Sequence, residues 1–204
     1  MCCSATFRRA LLLTIAGFVL IPALSPLGGT GVLAQSKKKG GGPEAFRAKA
    51  KLTTEAGGAD ALVRIEIDQY TPERDLKTME EALQTNGSGA FLDALRRAPI
   101  AGRFRMGDQT FTIRWARQRP TAKGRVISLV TDSPVYFVGG GLPGAKPRTG
   151  FDVAVVQLNM DSAGVGEGSL AAAARVKPGG ATGVEVEEYA GTPLKLVSVY
   201  RIIS

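Results

Sequence analysis

The chain has 204 residues, 44% apolar, 22% charged and 6% aromatic, with 26 Lys and Arg against 18 Asp and Glu for a net charge of +8. Those proportions suit one globular domain and exclude a disordered, collagenous or multi-span membrane chain. There is no histidine, and the two cysteines are Cys2 and Cys3. This removes Ser-His-Asp catalysis, histidine metal sites and histidine haem ligation, so neither a metal nor a cofactor is expected.

Arg8 and Arg9 lead into an apolar run over 10–24, and small residues follow, ending Val32-Leu33-Ala34 before Gln35. This is the layout of a secretory signal cleaved after Ala34. Pro22 breaks the run and Ser25 with several glycines follows it, short of the roughly 20 firmly apolar residues that an anchor needs. Arg8-Arg9 partly matches a twin-arginine signal, but Phe7 stands where that signal has a polar residue, so ordinary unfolded export is the simpler reading. Residues 35–44, with Lys37-Lys38-Lys39-Gly40-Gly41-Gly42-Pro43, read as a flexible basic leader. Residues 45–204 read as a single β-rich domain, periplasmic or secreted. After cleavage no thiol remains, so an apolar core must hold the fold without disulfides.

Phe46, Ala48, Ala50 and Leu52 alternate with Arg47, Lys49, Lys51 and Thr53, and Val63, Ile65 and Ile67 alternate with Arg64, Glu66 and Asp68. Two half-solvated strands follow from that period of two, joined at Gly57-Gly58-Ala59-Asp60. Thr71-Pro72-Glu73 reads as a helix start with Thr71 as its cap, and Leu76, Met79 and Leu83 follow at helical spacing. Asn86-Gly87 predicts its end, and Ser88 predicts the cap of a second short helix with Phe91, Leu92 and Leu95, stopped by Pro99. Beyond Pro99, strands are predicted at Gly102–Met106, Thr110–Arg119, Gly124–Asp132, Val135–Val138, Phe151–Met160, Gly168–Lys177, Gly183–Tyr189 and Leu194–Ile203. Their short connections leave no room for parallel crossovers. The expected fold is α+β: a mainly antiparallel, closed or nearly closed barrel-like sheet, with a helical pair inserted after the second strand.

Two glycine-rich segments invite nucleotide-binding readings and fail them. In Gly164-Val165-Gly166-Glu167-Gly168-Ser169-Leu170 the third glycine of a dinucleotide fingerprint falls one place early and no βαβ unit surrounds it, so a hairpin turn at Asp161-Ser162-Ala163-Gly164 is expected. In Gly139-Gly140-Gly141-Leu142-Pro143-Gly144-Ala145-Lys146-Pro147, Ala145 separates glycine from lysine and Pro147 replaces the hydroxyl. That leaves a long loop over 139–150 of the kind that borders binding sites.

The positive signal is basic. Arg96, Arg97, Arg103, Arg105, Arg114, Arg117, Arg119, Lys123 and Arg125 crowd one stretch opposed by Asp108. Alternation places Phe111, Ile113, Trp115, Arg117 and Arg119 on one face, where guanidinium groups could bind an anion bidentately or stack on Trp115. The candidate ligand site is therefore Trp115, Arg117, Arg119, Arg125 and Arg103, near the 139–150 loop. Its partner would be an anionic or amphipathic small molecule, a lipid or an envelope polymer, since export weighs against nucleic acid. Carboxylates offer a rival reading, a metal-independent hydrolase using Glu66 or Glu187. A structural partner in an envelope assembly is the third.

Pro72-Glu73-Arg74-Asp75-Leu76, Phe91-Leu92-Asp93-Ala94-Leu95, Ala116-Arg117, Gly124-Arg125-Val126-Ile127, Thr131-Asp132-Ser133-Pro134-Val135, Gly164-Val165-Gly166-Glu167-Gly168 and Glu185-Val186-Glu187-Glu188-Tyr189 with Pro193-Leu194 together resemble a family of small exported bacterial proteins with no assigned activity. The resemblance spans about residues 62–200 and implies export. It assigns no catalytic or binding residue, and Ser133 stands where that family's pattern has arginine.

Overall fold

The computed structural model describes residues 42–54, 57–135 and 148–202. The expected signal 1–34, most of the leader 35–44, the strand at Val135–Val138 past Val135, and the loop up to residue 147 lie outside them. The elements in chain order are β1 (Glu44–Thr54), β2 (Gly57–Ile67), α1 (Glu73–Arg97), β3 (Gly102–Met106), β4 (Gln109–Thr121), β5 (Gly124–Thr131), β6 (Val153–Asp161), β7 (Val165–Pro178), β8 (Val184–Tyr189) and β9 (Leu194–Ile202).

Every pairing is antiparallel. β1 to β7 pair each with the next, β7 also pairs with β9, and β9 pairs with β1, which closes an eight-stranded barrel. β8 stands outside the ring, bound along the second half of β7. An eight-stranded barrel is just wide enough for side chains to fill. Phe46, Ile65, Phe104, Ile113, Ile127, Leu129, Leu158 and Leu196 do fill it, each fully buried. They are the inward members of the period-two pattern.

The outer wall of β4 to β7 is apolar as well, and α1 covers it. Leu76, Met79, Leu83, Phe91 and Leu95 pack on Trp115, Val130, Val153, Val155, Ala171, Ala174 and Val176. Each such side chain removed from water contributes about 1.5–3 kcal/mol, an upper figure against an extended unfolded chain. Phe91 meets Trp115 with ring centroids 6.1 Å apart and tilted by 59°, within the favoured range for aromatic pairs.

The expected helical pair is one helix with a kink. Gly87 has φ 77° and ψ −168°, a conformation close to glycine-only space, yet no loop intervenes. The apolar stripe from Leu76 to Leu83 resumes at Phe91 and Leu95 against the same barrel wall, so the stop expected at Asn86-Gly87 is a break in helical geometry within one element, with no loop. Pro72, not Thr71, takes the N-cap position, and no side chain caps it. The Thr71 hydroxyl is used elsewhere, accepting from Ala116 N–H at 2.8 Å and donating to Arg114 C=O at 3.2 Å. It thereby pairs backbone groups beside the bulge between Ile113 and Trp115.

Candidate functional site

The barrel's middle is packed, so the space for a ligand is at its ends. At the end formed by the starts of β1 and β5 and the finishes of β4 and β9, the inward positions change from apolar to polar. Phe46 is succeeded outward by Glu44, Ile127 by Arg125, Ala116 by Gln118 and Val199 by Arg201. These four side chains, with Tyr70 from the segment between β2 and α1, form one cluster.

Its centre is the Glu44 carboxylate, whose side chain is 7% exposed. The Tyr70 hydroxyl donates to it at 2.7 Å and Arg125 Nη2 at 3.0 Å, while Arg201 Nη2 stands at 3.5 Å. Arg125 Nη1 donates to Gln118 at 2.6 Å, and its guanidinium lies 6.0 Å from the Phe46 ring centroid. Burial, then the hydrogen bond and charge of Glu44, hold the Tyr70 phenol far above its ordinary range, so it stays a donor. Two guanidinium groups converge here on one buried carboxylate.

In front of them opens a cavity of about 740 Å³, rimmed by Gln118, Pro120, Arg125, Arg201 and the β6–β7 turn from Asp161 to Gly164. That volume suits a small molecule. Arg201 is half exposed and loosely held, so it is the guanidinium most available to an incoming anion. Asp161 adds a negative charge on the same side of the mouth, in a turn whose Gly164 carbonyl accepts Arg201 N–H at 2.8 Å, and one of its oxygens accepts Val165 N–H at 2.9 Å. The glycine-rich segment 164–168 is thus the expected hairpin turn followed by strand β7.

The sequence-derived candidates divide among three places. The bulge between Ile113 and Trp115 turns Ile113 into the barrel and Trp115, Arg117 and Arg119 to its outside, so the single face expected for Phe111, Ile113, Trp115, Arg117 and Arg119 does not exist. Trp115 lies fully buried beneath α1, its indole N–H without a partner among the described residues. Arg117 is a tie for α1, donating to Glu80 at 2.6 Å, Glu73 at 3.1 Å and Thr182 C=O at 3.2 Å. Gly183 passes so close over this pair that a Cβ there would meet Glu80 and Arg117. Arg119 is exposed, and Arg103 points outward from β3. Only Arg125 reaches the mouth.

Arg114, also of the basic cluster, binds Asp132 at 2.7 Å and the Ala98 carbonyl at the end of α1 at 2.6 Å. Glu66 lies on the outer wall with Arg64 Nε at 2.7 Å, and Glu187 is exposed on β8. The carboxylates weighed for hydrolysis therefore stand on separate elements.

Glu44, Tyr70, Gln118 and Arg201 were missed. Continuing the Phe46-Ala48-Ala50 alternation one step back finds Glu44. Arg201 is hidden, because a bulge opposite Ala48, with Ser198 at φ 51°, shifts the facing of β9 by one residue. No family model, no curated protein and no solved structure matches the chain.

Proposed function

We propose that this protein is an exported, non-catalytic binding module that takes a small ligand with one anionic group at the mouth of the barrel. The observation that carries the reading is the convergence of Arg125 and Arg201 on Glu44 beside a cavity of about 740 Å³. One carboxylate leaves one positive charge of the pair unmatched, and a guanidinium fork suits a carboxylate or phosphate group. Asp161, in the turn beside Arg201, forms no ion pair with either arginine among the described residues and repels a second negative charge, which favours a ligand whose remainder is neutral or cationic. Export, read from the signal at 1–34 and the family resemblance, would put the ligand in the periplasm or outside the cell.

Calorimetric titration of the full chain with inorganic phosphate and small carboxylates, at low and high salt, tests the reading. Binding is expected at low salt, weakened at high salt and about tenfold weaker in Arg201→Ala. Arg201 is half exposed, so its loss leaves the fold in place. No binding at low salt, or an affinity unchanged in Arg201→Ala, rejects the proposal.

A further inference from the structure

The wall formed by β9, β1, β2 and β3 lies apart from the one that α1 covers, and its chemistry is different. Register sets Tyr200, Arg47, Arg64 and Arg105 directly opposite one another in one row across the four strands. Like charges placed directly opposite destabilise a sheet, and at a strand spacing of about 4.8 Å these three arginines share roughly 10 Å of wall. Arg64 is held by Glu66; among the described residues Arg47, Lys49 and Arg105 make no ion pair. The adjoining row is Val197, Lys49 and Leu62; Leu62 on β2 is 73% exposed, and Tyr200, in the arginine row two strands away on β9, is 45% exposed. These rows border one depression of about 630 Å³. Asp60 and Glu66 flank the two rows, and Asp108 is the one acidic residue that lines the depression with the cations.

The two halves of this pattern ask for one kind of partner. Arg47 and Arg105, on either side of the Glu66-paired Arg64, and Lys49 in the next row stay without a counter-charge among the described residues until anions meet them. Leu62 and the Tyr200 ring gain only if they leave water. A soluble polyanion would satisfy the arginines and leave Leu62 wet, whereas a lipid surface with anionic headgroups satisfies both, because aromatic and aliphatic side chains settle at its interface while cations meet its charge. We infer that the β9-β1-β2-β3 wall docks on an anionic lipid surface, with Arg47, Lys49, Arg64 and Arg105 on the headgroups and Leu62 and Tyr200 at the interface.

Cosedimentation of the full chain with vesicles of phosphatidylcholine alone, and of phosphatidylcholine mixed with phosphatidylglycerol, tests this. The readout is the difference between the two vesicle types, so that binding common to both is subtracted. The mixed vesicles are expected to bind more strongly. Arg47→Ala with Arg105→Ala is expected to cut that excess roughly tenfold or more, and Leu62→Ser by about tenfold. All three side chains are exposed, and far-UV circular dichroism of both variants should match the parent. Equal binding to the two vesicle types overturns the inference, as does an excess that either variant leaves unchanged. Capture of soluble polyphosphate without preference for the charged vesicles overturns it in favour of a polymer.

Discussion

Tyr70 donates its phenolic proton to Glu44 at 2.7 Å, and the surroundings make that proton hard to remove. Burial contributes most, followed by the hydrogen bond and the charge of Glu44, while Arg125 and Arg201 pull the other way. An ordinary tyrosine titrates near 10.0, so above that pH the unfolded chain loses a proton that the folded chain keeps. The stability this contributes is complete below pH 10 and is lost progressively as the pH rises toward the folded value. Glu44→Gln deletes the carboxylate charge but not the burial. In a tyrosinate absorbance titration, one of the four tyrosines is expected to lag in the parent and to lag less in Glu44→Gln. The variant also leaves Arg125 without its counter-charge, at an expected cost of about 1–3 kcal/mol in denaturant unfolding.

Helix α1 contains two glycines with opposite roles. Gly87 sits at φ 77° and ψ −168° with open space where a Cβ would stand, so a side chain there meets no neighbour but forces a backbone that L residues avoid. Gly87→Ala is expected to lose about 1–3 kcal/mol. Gly89 has the same open surroundings and no positive φ, so Gly89→Ala should add about 0.5–1 kcal/mol through helix propensity and reduced unfolded-state entropy. Chemical denaturation of the pair checks the contrast in sign. The same element shows what a sequence conveys about this fold. The stripe Leu76, Met79, Leu83, Phe91 and Leu95 was legible as a buried helical face because its period is local. That the break at Gly87 would be a kink within one element was not, because the wall both halves pack on is assembled from four distant strands. Strands such as Gly102–Met106 were legible for the same local reason. The bulges near Trp115 and at Ser198 leave no local mark, yet each reverses the facing of every residue beyond it. That reversal removed Trp115 from the candidate site and brought Arg201 into it.

Closure of the barrel depends on β9, which pairs with β1 on one side and β7 on the other, whereas β8 pairs with β7 alone. The two strands are therefore unequal in what their loss undoes. Leu196 is fully buried in the barrel interior, and Leu196→Asp places an unpaired charge where no described polar partner exists, while opening the seam between the first and last strands. A penalty of several kcal/mol for an uncompensated buried charge stands against a total stability of about 5–15 kcal/mol for a domain. Cooperative unfolding should be lost, and the freed edges of β1 and β7 should promote association. Val186 is only partly buried, at the margin of the helix-covered wall, so Val186→Asp should lower the melting temperature and leave the transition cooperative. Thermal melts followed by near-ultraviolet circular dichroism, with light scattering alongside, separate the two outcomes. A cooperative melt in Leu196→Asp would mean that the ring is not the unit that folds, and would remove the reason for placing the ligand at its mouth.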